Sequence, residues 1–308
     1  MKMTRAQFLK LALASAAGGL LGRPHAAGAA LGPVQKRPIP STGELIPAIG
    51  TGTAVIYENE LSGEQMQMLV DTVRTFLANG GAVMDTSPSY GRAEKNLGEI
   101  LRRTGMRDRA FLATKISTTG EQAGIESAAA SMRDLGTERL DLLQVHNIRD
   151  SAVHLRTIRA LKEQGKVRYA GITTSFDRTY GEYEHIMRSE KLDFVQIDYA
   201  LDNRNAEERI LPAARELGLA VLINLPFGRG RLFAKTRGRP LPGWAAEIDC
   251  TSWAQFFLKF VLGHPAVTAA IPGTDRPEYA LDNLNAARGR MPGEAMRRRM
   301  VSYWETLA

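Results

Sequence analysis

Cysteine is almost missing from this chain of 308 residues. Cys250 stands alone, which excludes an intramolecular disulfide and any CxxC metal site. There is no His-x-His pair and no bunching of carboxylates at the ends of the apolar segments, so no ligand set for a catalytic metal is offered. No G-x-G-x-x-G follows the first apolar strand, which argues against a doubly wound dinucleotide fold. Acids are absent from residues 1–29, where Lys2, Arg5, Lys10 and Arg23 stand unopposed. Without that stretch, 36 basic residues face 33 acidic ones and the formal charge falls from +7 to +3. The basic balance is therefore no argument for nucleic-acid binding, and no nucleic-acid partner is expected.

The N-terminus reads as a segment apart. Thr4-Arg-Ala-Gln-Phe-Leu-Lys10 is followed by a small and apolar run, Leu11 to Leu21, and then by Ala27-Gly-Ala29. A basic region, a short apolar region and an A-x-A site are the parts of a secretory signal. The run is too short for a membrane span, which needs about 20 residues. Residues 1–29 are thus expected to be a signal peptide, leaving a mature domain over 30–308 with no stable membrane span. Thr4 to Lys10 is similar to the twin-arginine export motif, with Ala6 where the second arginine belongs. The expectation is a periplasmic or exported protein, or a cytoplasmic one if the signal does not function.

What is present in the rest is a regular alternation. Arg37-Pro-Ile-Pro and Leu45-Ile-Pro flank a Ser41-Thr-Gly-Glu turn, the pattern of a hairpin. Ser62 with Gln65 forms a capping box ahead of Met66, Leu69, Val70, Val73, Phe76 and Leu77, whose spacing predicts an amphipathic helix ending at Asn79-Gly80. Strands are predicted at 49–53, 82–85, 110–115, 141–146, 169–174, 194–200, 220–225 and 267–272. Helices are predicted between them at 93–104, 123–135, 152–164, 179–189, 206–217, 252–263 and 277–287, and a last one at 293–306. The helix at 123–135 is expected to bury Ile125, Ala129 and Met132. That at 206–217 is expected to start on an Asn205/Glu208 capping box. Residues 231–249 are expected to be a loop bordering the pocket, as is the 54–61 segment, with Trp244 either packing that loop or meeting substrate. Eight strand–helix units of about 30 residues each predict an α/β fold, a (β/α)8 TIM barrel with an N-terminal β-hairpin and a C-terminal extra helix.

The strand ends carry the chemistry. Asp85, Lys115 and His146 close the second, third and fourth barrel strands, and Tyr90 follows Asp85 in a Pro- and Gly-bearing turn. Consecutive strands of a barrel are neighbours, and a barrel keeps its chemistry at this face. A phenol has an ordinary pKa of about 10, and a nearby ammonium favours its ionised form. Asp85 would keep Lys115 charged, Tyr90 would give up a proton, and His146 would hydrogen-bond a substrate oxygen. Each residue alone is more often structural: a loop tyrosine is usually packed, a strand-end Asp often caps a helix, and a Lys–Asp pair is often only an ion pair. All four at consecutive strand ends describe an acid for an alkoxide forming at a carbonyl carbon.

The stretches Asp85-Thr-Ser-Pro-Ser-Tyr-Gly, Ala113-Thr-Lys and Leu140-Asp-Leu-Leu-Gln-Val-His resemble those of the aldo-keto reductase family, over about Arg37 to Ala287. The resemblance implies Asp85, Tyr90, Lys115 and His146 as the catalytic set and NADPH-dependent reduction of a small-molecule carbonyl substrate. It also implies cofactor contacts at Gly52, Thr53 and Gln196. The family's Ser-Asn at the fifth strand end is Thr173-Thr174 here, and its stacking tyrosine is Asn224. After Pro226, the stretch Phe227-Gly228-Arg-Gly230-Arg231 offers flexible backbone amides and two guanidinium groups, suited to a pyrophosphate. Gly273, Thr274 and Arg276 lie in a stretch that resembles the segment for the adenosine 2′-phosphate; Gly273 and Tyr279 stand where many members have Lys and Arg, which leaves Arg276 for the phosphate, and Asn283 matches the adenine contact. The cofactor implied is NADPH, with NADH as the alternative, no metal, and a monomer. A cofactor-binding sensor with little turnover is the competing reading, motivated by Asn224 and Thr174; a hydrolase or isomerase on His146 and Asp85 is a third.

Overall fold

The computed structural model describes residues 31–307. An antiparallel hairpin, β1 (Lys36–Pro38) and β2 (Leu45–Pro47), comes first. Eight parallel strands follow: β3 (Thr51–Gly52), β4 (Val83–Asp85), β5 (Phe111–Ile116), β6 (Leu140–His146), β7 (Val167–Thr173), β8 (Phe194–Asp198), β9 (Ala220–Asn224) and β10 (Ala269–Ala270). Each is bonded to its successor in chain order, and the two ends of the sheet meet. Gly50 N–H donates to Ala270 O at 2.8 Å, Ala270 N–H donates to Ala48 O at 3.0 Å, and parallel bridges join Ile49 to Ala270 and Gly52 to Gly273. Closure depends on Gly50, where a Cβ would stand 2.8 Å from Val83 O and 2.9 Å from Ile271 Cγ2. The barrel is closed, as the alternation predicts. The signal segment expected at 1–29 lies outside the described residues.

Helices α1 (Gly63–Ala78), α2 (Ala93–Thr104), α3 (Glu121–Leu135), α4 (Ser151–Glu163), α5 (Tyr180–Ser189), α6 (Ile210–Glu216), α7 (Arg231–Thr236), α8 (Trp253–Leu262) and α9 (Pro277–Asn285) lie along the strands, and α10 (Glu294–Thr306) is the extra C-terminal helix. The apolar groups divide in two. One core lies between strands and helices; the other fills the barrel with Val83, Phe111, Leu142, Tyr169, Phe194, Leu222 and Ile271. Ile39 and Ile46 of the hairpin join this inner set, so the hairpin plugs the lower end. It is held there by Glu44, which pairs with Arg168 and accepts a hydrogen bond from the Tyr169 hydroxyl.

Local signals succeeded where one face decided the matter. The Ser62/Gln65 capping box opens α1, and Leu69, Val70, Val73, Phe76 and Leu77 are buried. On α3 the buried face is Gly124, Ala128, Ser131 and Leu135, rotated by one residue from the expected Ile125, Ala129 and Met132. The reason is close packing: a Cβ on Gly124 would lie 2.6 Å from His154 Nδ1, so this helix approaches its neighbour through its small residues and leaves Ile125 outside. The helix expected from 206 begins only at Ile210, after a 3-10 turn at Asn205–Glu207. Asn205 does not cap it; its side-chain amide bonds Asp177 instead. Nor is 231–249 an open loop bordering the pocket. It holds α7 and a 3-10 turn at Gly243–Ile248, and Trp244 packs against Phe256, Tyr303 and the Arg299 guanidinium.

Candidate active site

The period-two pleat sorts each strand by height. On β6, Leu142 lies in the apolar plug, Gln144 above it and His146 at the mouth; on β5, Phe111 and Ala113 lie below Lys115. Tyr169, Gly171 and Thr173 repeat the order on β7, and Phe194 and Gln196 on β8. Apolar side chains therefore fill the bottom and polar ones converge at the C-terminal end.

Asp85 stands at the centre of that polar layer. Its Oδ1 accepts a hydrogen bond from Lys115 Nζ at 2.6 Å, and Lys115 Nζ also donates to Thr86 O at 2.7 Å. Its Oδ2 accepts from Gln196 Nε2 at 2.9 Å and from Gln144 Nε2 at 3.3 Å. Both members of the ion pair are buried. Burial works against the Lys115 charge, but Asp85 and Tyr90 outweigh it and hold its pKa above that of an ordinary lysine. The ammonium is 5.1 Å from the centre of the Tyr90 ring. Tyr90 is presented by a tight turn: Gly91 follows it at φ +55°, where a Cβ would lie 2.5 Å from Glu58 O, and Arg92 N–H donates to that same oxygen.

His146 completes the group, its ring 5.8 Å from that of Tyr90 and nearly perpendicular to it. Burial, with the positive charges of Lys115 and Arg149, lowers its pKa to about 3, so the imidazole is neutral near neutral pH. The structure thus brings together all four residues singled out at the strand ends.

A cleft of about 590 Å³ opens over them. Of the residues predicted for a cofactor, Gly52, Thr53, Thr173, Thr174, Gln196, Asn224, Pro226, Phe227, Gly230 and Gly273 line it. Gln196 is already engaged, since Asp85 takes its NH₂ group and Thr173 Oγ1 donates to its carbonyl at 3.0 Å. Asn224 is under-partnered: its Nδ2 makes only long contacts to Gln196 Oε1 and Thr174 O, 3.4 and 3.5 Å, and its buried Oδ1 has none. Gly228 and Arg231 face a neighbouring cavity instead, and Arg231 is tied to Asp202 at 2.9 Å. Arg229 is the guanidinium beside the cleft. Thr274 and Asn283 are buried behind the rim, while Arg276 is exposed and 3.9 Å from Glu278.

Three residues that the sequence reading passed over surround His146 Nδ1. Ser117 Oγ is 2.6 Å away, Ser89 Oγ 3.2 Å and Ser87 Oγ 3.3 Å. The pleat held a signal for two of them, because Ser87 and Ser117 each lie two residues beyond Asp85 and Lys115. Among the described residues no group of three or more His, Cys, Asp or Glu side chains is placed to hold a metal ion, and no helix is long and apolar enough to cross a membrane.

Comparison with known proteins agrees with this geometry. The model of the aldo/keto reductase family matches residues 48–299. The chain is 29% identical over 245 residues to methylglyoxal reductase YeaE of Escherichia coli K12, covering 77% of this chain and 84% of that one. It is 26% identical over 253 residues to aldo-keto reductase str7 of Strobilurus tenacellus, covering 70% and 75%. Among solved structures, an aldo/keto reductase from Klebsiella pneumoniae in complex with NADP and acetate superposes with a TM-score of 0.71 at 26% identity, over 84% of this chain and 93% of that one.

Proposed function

The chain belongs to the aldo/keto reductase family, and from this we propose that it reduces an aldehyde or ketone to an alcohol with NADPH. The observation that carries the reading is the convergence of Tyr90, Lys115, Asp85 and His146 beneath one cleft. The lining supports a dinucleotide reading: Thr173, Gln196 and Asn224 offer polar groups suited to a carboxamide, and Phe227, Arg229 and Gly230 line the same cleft. The orphaned Asn224 amide oxygen is a further mark of a polar site short of partners. When bound, NADPH supplies the hydride for the carbonyl carbon.

The residues do the rest. Tyr90 donates the proton that the developing alkoxide needs, and the Lys115 ammonium stabilises the phenolate left behind. Asp85 keeps Lys115 charged and in place. His146, neutral, hydrogen-bonds the carbonyl oxygen and fixes its approach. Of the cleft residues, Phe227, Arg229, Gly230 and Gly273 are assigned to the cofactor, and the exposed Arg276 to its 2′-phosphate. NADPH is preferred over NADH on the strength of that guanidinium.

Purified protein is expected to quench or shift NADPH fluorescence and to oxidise NADPH in the presence of a panel of aldehydes and ketones. Tight NADPH binding with no oxidation across the panel would favour a sensor instead. We further propose that residues 1–29 direct export, supported by their basic, apolar and A-x-A segments, and that the mature protein acts as a monomer. A twin-arginine route would carry it folded with cofactor bound. Cell fractionation with N-terminal sequencing tests export, and an intact cytoplasmic chain starting at Met1 rules it out. Light scattering of the mature protein tests the monomer.

A further inference from the structure

The three hydroxyls at His146 form a closed cluster. Ser117 Oγ lies 2.6 Å from Nδ1, and Ser87 Oγ reaches Ser117 Oγ at 3.2 Å, Ser89 Oγ at 2.9 Å and Nδ1 at 3.3 Å. Ser89 Oγ reaches Nδ1 at 3.2 Å. Ser87 Oγ also accepts a hydrogen bond from Ser89 N–H at 3.2 Å, so its own proton is directed at the other members. Ser87 is fully buried, Ser117 half-buried, and Ser89 exposed at the mouth.

The inventory of donors and acceptors bears on the proton's place on the ring. Among the described residues no backbone carbonyl or carboxylate accepts from any of the three hydroxyls, which link to one another from exposed Ser89 through Ser87 to Ser117 and end at His146 Nδ1. The one stronger base within reach is an imidazole nitrogen. A histidine whose proton sits on Nδ1 ordinarily gives it to a carbonyl or carboxylate, and Nδ1 here faces only hydroxyls. Nε2 has no protein partner among the described residues, and the ring borders the cleft.

We propose that Ser117, supported by Ser87 and Ser89, fixes neutral His146 as the Nε2–H tautomer and so turns its remaining nitrogen into an obligate donor toward the substrate oxygen. Ser117 is then a positioning residue, acting through His146. With Nε2 protonated and Nδ1 accepting from the Ser117 hydroxyl, His146 orients the carbonyl and takes no proton, which leaves Tyr90 as the acid in the cleft. Loss of the Ser117 hydroxyl lets the proton move to Nδ1, and Nε2 then presents a lone pair to the carbonyl oxygen, a repulsive contact. The role in turnover rests on the carbonyl-reductase reading; the tautomer itself does not.

Histidine-labelled full-length protein examined by long-range ¹H–¹⁵N correlation provides the test. The His146 signal is identified by its loss in His146→Asn. A pyrrole-type Nε2 and a pyridine-type Nδ1 are expected in the wild type. Ser117→Ala is expected to shift the ring toward the Nδ1–H form and to lower kcat by about 10- to 100-fold, with NADPH affinity retained. Ser117→Thr, which restores a hydroxyl, is expected to recover both the tautomer and most of the rate. Ser89→Ala provides a second variant at an exposed position should Ser117→Ala misfold, and a smaller shift in the same direction is expected. A wild-type ring protonated on Nδ1, or a folded Ser117→Ala with unchanged tautomer and kcat, overturns the proposal. A wild type with the Nε2–H form that reduces no carbonyl supports the tautomer assignment and counts against the reductase reading instead.

Discussion

The Lys115 ammonium and the Asp85 carboxylate stand 2.6 Å apart, both buried at the floor of the cleft. A buried pair of this kind contributes little net stability while intact, and much is lost when one partner goes, because the other charge is left without compensation.

Lys115→Met is therefore expected to destabilise the fold by about 3–5 kcal/mol. Asp85→Asn should also destabilise it, since the Asn oxygen can still accept from Lys115 but the carboxylate charge that compensates the buried ammonium is gone. Combining the two should recover part of the loss. Urea unfolding of the single and double variants measures it. Single variants as stable as the wild type would show that the pair is not sealed from water.

Acid should weaken the fold through His146. Its pKa is lowered to about 3 in the folded state, while the unfolded chain has the ordinary value of about 6.5. The unfolded state then binds more protons in that window, so the contribution is fully present above about 6.5 and is lost as pH falls toward 3. His146→Gln should show a shallower fall in stability between pH 6.5 and 3, read from unfolding at stepped pH. His264, lowered to about 4 by burial, stays in both proteins and cancels in the comparison. A second consequence is kinetic: the pH profile of kcat/KM should carry no inflection from His146 at the ordinary histidine value.

Arg229, which lines the cleft, and Arg276, which is exposed outside it, should separate by cofactor. Arg276→Ala is expected to weaken NADPH binding by about tenfold or more, the scale of one charge-assisted hydrogen bond, and to leave NADH binding nearly unchanged. Arg229→Ala should weaken both to a similar degree, because a pyrophosphate is common to them. Fluorescence titration of each variant with each cofactor provides the comparison. Equal losses in Arg276→Ala would remove that residue from 2′-phosphate recognition.

How much of this could be read from the chain differs by kind of signal. Asp85, Lys115 and His146 were legible because each ends a short apolar strand, and consecutive parallel strands are neighbours in a barrel. Tyr90 was legible through the glycine after it, which the turn requires. The buried face of α3 was not, because apolarity points to Ile125 and Met132 whereas close packing on His154 selects Gly124 and Ala128. Trp244 could be read either as packing its segment or as meeting substrate, because an aromatic residue in a long connection has no periodicity to locate it, and its partners on α8 and α10 are distant in sequence. Arg231 shows the limit for single charges, since nothing local to Phe227-Gly-Arg-Gly-Arg231 reveals that Asp202 takes it and leaves Arg229 to the cleft.

The central claim is that Tyr90 is the proton donor in a carbonyl reduction. The most direct measurement is NADPH oxidation by the wild type and by Tyr90→Phe with the same carbonyl substrate, alongside NADPH titration of both. A fall in kcat by about 10²–10⁴-fold with cofactor affinity preserved is the predicted result. A Tyr90→Phe enzyme that turns over at the wild-type rate would contradict it.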